Sequence, residues 1–408
     1  MDVVYTARGL QQRCVALPIS GSGEWREVRV ESSVSSSGAR RPGFLPRNAF
    51  DRLLNAISEA GWQLLGPVVE SGVIQFRPIS GMAALPTGVV NRQQPGSYRL
   101  EQREDQRLFA WNQGPQGLKP LCFAPEECLW QESQGPDGKM QLESGLAEAT
   151  PIAVIGVRGC DLAALAIQDR HFLSSTAPDP HYKARREALF LVGVDCAESA
   201  ETCFCTSTGD GPSLNGGFDI GLAELDAGFL TWGGSQRGEA LLQSLALPLA
   251  SDPQLAEMNE ATDRAAAAQQ RRLPSPAVLR RLYDNLAHPD WDQVGERCLS
   301  CGNCTAVCPT CFCYSTEYRT ALDGTSAVRI RQWDSCFNPA HSSMGRFNVR
   351  TTIPQRYRQW LTHKLAGWQD QFGRIGCTGC GRCISWCPVG IDLTREVGLV
   401  LGEDDFDV

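Results

Sequence analysis

Eleven of the chain's eighteen cysteines fall between Cys298 and Cys387, and eight of them spell one string twice. Cys298, Cys301, Cys304 and Cys308 precede Pro309, and Cys377, Cys380, Cys383 and Cys387 precede Pro388, each as C-x2-C-x2-C-x3-C-P. A cubane 4Fe–4S cluster takes four thiolates, and this spacing lets one turning segment supply three. In two-cluster ferredoxins the cysteine before proline ligates the other cluster, because the chain leaves its own cluster on a helix that carries this thiolate away. The pattern therefore assigns Cys298, Cys301, Cys304 and Cys387 to one cluster, and Cys377, Cys380, Cys383 and Cys308 to the other. Structural zinc also uses C-x2-C, but as two separated pairs per ion. Two copies of a three-plus-one pattern, each closed by Cys-Pro, favour iron–sulfur.

Cys311, Cys313 and Cys336 exceed the needs of two cubanes. One reading makes them buried thiols packed around the clusters, since free cysteine behaves as a small apolar residue. The other makes them alternative ligands or redox-responsive thiols.

A further four cysteines depend on the elements that present them. "PIAVIGVRGCDLAALAIQDR" (151–170) reads as strand, loop and helix, and "ALFLVGVDC" (188–196) as a second strand, so the pair predicts a β-α-β unit with parallel strands. Cys160 follows Val157 by three residues and Cys196 follows Val194 by two. Both then lie past the carboxyl ends of neighbouring strands, where ligands gather in open α/β sheets. "ETCFCTSTGDGP" adds Cys203 and Cys205, and the four predict a third 4Fe–4S site. Asp161 is a candidate helix cap and Arg158 a candidate counter-charge, or both are ordinary cap and surface residues.

Elsewhere "GVIQF" (72–76) and "FDIGL" (218–222) read as strands, and the polar stretches 31–43 and 131–138 as surface loops. "PQLAEMNEATDRAAAAQQRR" (253–272) is a helix candidate, with Pro276 in the first turn of a following one. The 68 residues between Cys308 and Cys377 exceed what a small hairpin ferredoxin needs, and "QRYRQWLTHKLAGWQDQF" (355–372) within them reads as helix. The expectation is an α+β protein: a mixed α/β domain over residues 1–260 whose β-α-β unit carries a cluster site, then an α-helical two-cluster ferredoxin-like domain over residues 261–408.

A net charge of −8 and a pI near 5.3 argue against nucleic acid as a partner. The start "MDVVYTARGLQQRCVALPIS" lacks the pattern of a secretory signal, and no apolar run is long enough for a membrane span. The expected location is the cytoplasm, where cysteines serve metals rather than disulfides. No G-x-G-x-x-G, Walker loop, H-E-x-x-H or G-x-S-x-G marks a substrate site, and "GDGPSLNGG" (209–217) reads as a turn. Substrate chemistry is therefore expected in other subunits. Between Arg297 and Gly376 ten basic residues face four acidic ones. Arg356 and Arg358, flanking Tyr357, read as a docking face or as a solvated helix surface.

The strings "GVRGCDLAAL", "DCAESAETCFCTSTGDGP", "CGNCTAVCPTCFC", "WDSCFNP" and "CTGCGRCISWCPVGID" resemble the iron–sulfur beta subunits of cytoplasmic sulfhydrogenases, the NAD(P)-linked NiFe-hydrogenases, and the homologous A subunit of anaerobic sulfite reductase. The resemblance runs from about residue 95. It implies an electron relay between a flavin subunit that handles NAD(P)H and a catalytic subunit carrying a NiFe or sirohaem-type centre. Two other roles stay open: the same relay in an anaerobic sulfite or polysulfide reductase, and a zinc-stabilised scaffold.

Overall fold

Runs of β-branched and large apolar residues build the centre of the molecule. The computed structural model describes residues 41–402 except positions 136 and 147; Cys14 and residues 31–40 lie outside them. In chain order the strands are β1 (Gly43–Pro46), β2 (Gln63–Glu70), β3 (Val73–Pro78), β4 (Val89–Gln94), β5 (Ser97–Gln102), β6 (Glu126–Gln134), β7 (Met140–Ser144), β8 (Ile152–Val157), β9 (Leu189–Val194), β10 (Ile220–Glu224), β11 (Gly228–Gly233), β12 (Tyr314–Thr320) and β13 (Ser326–Trp333). Seven form one sheet in the order β1-β11-β10-β9-β8-β2-β3. Its four central strands, β10, β9, β8 and β2, run parallel, and antiparallel strands flank them on both sides.

The predicted β-α-β unit is present as β8, the helix Gly159–Leu173 and β9. Both strands are buried on both faces, as parallel strands between helical layers must be. Ala153, Ile155, Phe190, Val192 and Val194 enter one core, while Val154, Val157, Leu189 and Leu191 enter another. The helix Phe50–Glu59 covers the first face with Phe50, Leu53, Leu54 and Ile57, a spacing that makes one apolar stripe. Gly159–Leu173 covers the second with Leu162, Leu165, Ile167 and Phe172. A third core, around the two repeated cysteine motifs, is rich in aromatics: Trp291, Phe337, Tyr357 and Trp360.

Two expectations change. Residues 131–134 of the expected loop are the end of β6, and the turn to β7 starts only at Gly135. The region after residue 275 is helical over Asp290–Arg297 and from Ile353 through Phe372, yet it also contributes the hairpin β12–β13. That hairpin joins β6 and β7 in one four-stranded sheet, order β12-β13-β6-β7, so distant parts of the chain share backbone hydrogen bonds. From Arg41 onward the chain is one compact unit. No helix among the described residues is long and apolar enough to cross a membrane.

Candidate metal centres

The two cysteine repeats have the same backbone, position for position. Ser300 and Gly379, each two residues after the first cysteine, take left-handed φ values of 54° and 63°, and Gly302 and Gly381 follow with 74° and 72°. In each repeat the residue at the first of these turns donates its N–H to the first cysteine's sulfur, at 3.4 Å for both Ser300 to Cys298 and Gly379 to Cys377. A short helix then starts, Asn303–Val307 in one and Arg382–Ser385 in the other, and the Cys-Pro thiol lies just beyond its end. The two helices pack together, and the Asn303 amide donates to the Trp386 carbonyl. The crossing sets Cys387 beside Cys298, Cys301 and Cys304, and Cys308 beside Cys377 and Cys383.

Cys298, Cys301, Cys304 and Cys387 line a common pocket, with Cys383 of the second group at its edge and Phe337, Tyr357, Trp360, Ile391 and Leu393 in the remaining wall. Four soft donors in an apolar, aromatic enclosure fit a thiolate-ligated cluster. Burial pushes the Cys304 thiol well above its ordinary range, and the neighbouring Cys298, Cys387 and Cys301 push it further. Such thiols ionise on metal binding and release their protons.

Cys377, Cys380, Cys383 and Cys308 form the second group. Burial raises Cys377 to about 12 and Cys383 well above the usual value, and Cys383 also feels Cys377, Cys308 and Cys380. Cys308 alone moves down, first through the hydrogen bond from Cys311 and then through Lys364. The Lys364 ammonium is buried and donates to Cys308 Sγ at 3.5 Å, Thr310 Oγ1 at 2.8 Å and the Gly376 carbonyl at 3.0 Å. It is thus a fixed positive charge beside this group.

Cys160, Cys196, Cys203 and Cys205 converge past the carboxyl ends of β8 and β9. Burial raises all four, with Cys205 at about 12, and Cys196 and Cys205 act on one another or on Cys203. Arg158 is not the surface residue of the alternative reading. It is 1% exposed, hydrogen-bonds the Phe109, Trp111 and Asp195 carbonyls, and pulls the Cys196 thiol down. Asp161 does not cap the helix: the cap position is Arg158, which makes no side-chain cap bond. Asp161 instead accepts two hydrogen bonds from Arg382 at 2.7 and 2.9 Å, with both side chains at most 1% exposed. An isolated buried carboxylate is far costlier than an unmade cap, so the pairing wins.

The pair locks the third group against the second. Gly379 lies so close to the Cys205 backbone that a Cβ would come within 2.5 Å, and at Gly381 it would meet the Thr202 carbonyl oxygen at 2.3 Å. Cys380 in turn adds its charge to the environments of Cys160, Cys203 and Cys205. On the other side Cys304 acts on Cys383. The three groups are therefore consecutive neighbours, with the second in the middle.

Part of the basic excess between Arg297 and Gly376 is paired with acids from elsewhere in the chain. Arg297 pairs with Glu396 at 2.7 Å, Arg331 with Glu127 at 2.5 Å and Arg374 with Asp210 at 2.5 Å. Arg356 is 6% exposed and bonds Ser300 Oγ and the Arg350 and Thr351 carbonyls, so it braces the first repeat and is no docking residue. The sequence reading passed over Lys364, Arg382 and Gln269, whose amide donates to Cys205 Sγ at 3.2 Å. It also passed over His341, which meets Cys313 and Cys336. Contacts across long sequence separations reveal Lys364, Arg382 and Gln269, whereas His341 stands near Cys336 in the sequence itself.

The family described as a 4Fe-4S dicluster domain matches residues 297–391. Sulfhydrogenase 2 subunit beta of Pyrococcus furiosus is 35% identical over 243 residues, covering 59% of this chain and 71% of that protein. No solved structure matches the chain.

Proposed function

Because the chain belongs to the family of sulfhydrogenase beta subunits and contains their 4Fe-4S dicluster domain, we propose that it relays electrons in a cytoplasmic hydrogenase-type complex. Its partners are a flavin subunit that handles NAD(P)H and a catalytic subunit with a NiFe centre. Residues 261–408 hold two clusters, through Cys298, Cys301, Cys304 and Cys387 and through Cys377, Cys380, Cys383 and Cys308. Residues 1–260 hold a third through Cys160, Cys196, Cys203 and Cys205.

The succession of three cysteine groups, each beside the next, carries this reading. When bound, 4Fe–4S clusters supply one-electron transfer. The chain's own residues set the conditions for it. Lys364, Arg382 and Arg158 place fixed positive charge beside the thiolates, which favours added negative charge in a low-dielectric interior. Ser300, Gly379 and Gln269 donate hydrogen bonds to sulfur, a recognised lever on potential. Trp360, Tyr357 and Phe337 shield the first group from water.

Iron and sulfide analysis of anaerobically purified protein, with low-temperature paramagnetic resonance, tests the proposal. Three cubanes give about twelve iron and about twelve sulfide per chain. A count near eight that Cys203→Ser leaves unchanged removes the third cluster, and a colourless, iron-free protein removes the relay.

A further inference from the structure

Three side chains outside the cluster groups come together at the base of the β12–β13 hairpin. Cys313 immediately precedes β12, Cys336 follows β13 by three residues, and His341 sits in the turn Pro339–Ser342. Their donor atoms all lie within 4.8 Å of one another. Cys336 is 9% exposed and the His341 side chain 26%.

The spacing discriminates between two kinds of metal site. With metal–sulfur bonds of about 2.3 Å and metal–nitrogen bonds of about 2.0 Å, a single tetrahedral ion holds its donors about 3.5–4 Å apart. A cubane inserts a cage of iron and sulfide between its ligand sulfurs and spreads them further. Three donors this close suit one ion. Cys311 does not join them, because its thiol is engaged with Cys308 in the second cluster group.

The surroundings of His341 point the same way. Its Nδ1 lies 3.0 Å from Asp334 Oδ2, so the ring gives that proton to the carboxylate and offers Nε2 as the lone-pair donor. A carboxylate behind the ring is the usual partner of a metal-ligating histidine, fixing its tautomer and raising its basicity. Asp334 is itself held, accepting from Ser335 N at 2.7 Å and Asn338 Nδ2 at 2.8 Å. Its own N–H donates to the Cys313 carbonyl at 2.9 Å, which ties both sides of the hairpin base together. On the side of Cys313 and Asp334 away from Cys336 and His341 lies a cavity of about 180 Å³, shared with Cys301, Cys311 and Lys119, with room for water beside Cys313.

We propose that Cys313, Cys336 and His341 bind one zinc ion, with water as fourth ligand, separately from the iron–sulfur clusters. Two thiolates, one imidazole and a water make a tetrahedral set that zinc favours. Binding exchanges the two thiol protons for the divalent ion: both S–H bonds break, two zinc–sulfur bonds form and two protons pass to solvent, with no change of oxidation state. The ion closes the hairpin base and fixes the segment that also carries Cys308 and Cys311.

Metal analysis of the full-length, anaerobically purified chain reads this directly. The expected result is about one zinc per chain beside the cluster iron, and near-complete loss of zinc in Cys336→Ser and in His341→Ala with iron and sulfide unchanged. His341→Cys should keep the zinc, which separates lost ligation from lost folding. Cobalt supplied in place of zinc to the wild-type chain should give thiolate-to-cobalt absorption, a readout that needs no variant. The proposal is overturned by wild-type protein free of zinc and silent with cobalt, or by Cys336→Ser or His341→Ala protein that keeps its zinc. It is equally overturned if Cys336→Ser loses iron and sulfide together, since the thiols would then hold a cluster.

Discussion

Lys364 shows how much one buried side chain controls. Burial pulls the pKa of this ammonium down, but the surrounding Cys308, Cys311 and Cys377 sulfurs outweigh it and hold the pKa above the ordinary lysine value. It stays charged, and its charge faces the second cysteine group. Replacing Lys364 by Met removes a unit charge about 6 Å from a bound cluster, worth about 3 kcal/mol at an effective dielectric of about 20. For a one-electron couple that is on the order of 100 mV. Reduction adds negative charge, so the loss of the cation disfavours it and the midpoint potential of that cluster should fall. A redox titration followed by paramagnetic resonance measures it, and an unchanged midpoint at full iron content contradicts the assignment. Cys308 carries a companion expectation: Cys308→Ser should alter the signal of the cluster held by Cys377, Cys380 and Cys383, and leave the one held by Cys298 and its neighbours. A change confined to the latter would mean that each repeat closes on itself.

At the scale of elements, the glycine-bearing turn of the second repeat joins that repeat to the third cysteine group. Gly381 has a left-handed φ and no space for a Cβ against Thr202. Gly381→Ala should therefore push the Thr202–Cys205 loop away, and iron should drop from about twelve toward about eight per chain as the third site is lost. Retention of the full count would show the loop can yield. The Asp161–Arg382 pair holds the same junction. Arg382→Met leaves a carboxylate buried without its partner, at a cost of about 3–5 kcal/mol, whereas Asp161→Leu with Arg382→Met should recover much of it; the denaturant midpoint reads both. Sequence alone made the strands β8 and β9, the helix between them and the two repeats legible, because each is a local pattern: an apolar run, a helical period, a fixed cysteine spacing. It did not reveal the sheet formed by β6, β7, β12 and β13. Those strands are largely polar, as in "QLES" and "YSTEYRT", and they pair across some two hundred residues, as Arg331 and Glu127 do. Nor did it reveal the Asp161–Arg382 pair, 221 residues apart, or the burial of Arg356. A charge on a predicted helix reads as surface until a distant segment covers it.

Across the whole molecule the three cysteine groups are neighbours in succession, and a relay built on them needs an end where another protein can reach it. Cys301 is the only exposed cysteine among the described residues. Leu299, 61% exposed, stands two residues before it, and Val389, 39% exposed, shares the wall of the same pocket. Exposed apolar side chains beside a redox centre suit a partner that must approach closely and exclude water, since interface cores are apolar and depleted in charge. Of the two arginines expected at a docking face, Arg356 is buried and Arg358 donates to the Leu286 carbonyl, so apolar packing at this edge should carry the contact. Leu299→Asp with Val389→Asp buries two unpaired carboxylates in any complex formed there. Each anchor lost costs about 1–2 kcal/mol, so transfer from the reduced chain to its partner subunit, measured with the partner below saturation, should slow about tenfold or more. Iron content and the resonance signals should match wild type, because neither side chain holds the fold. The slowing should also be overcome by raising the partner concentration, which distinguishes weakened docking from a damaged cluster. Wild-type rates at every partner concentration would move the electron exit elsewhere, to the group of Cys196 and Cys203, residues that keep part of their surface exposed.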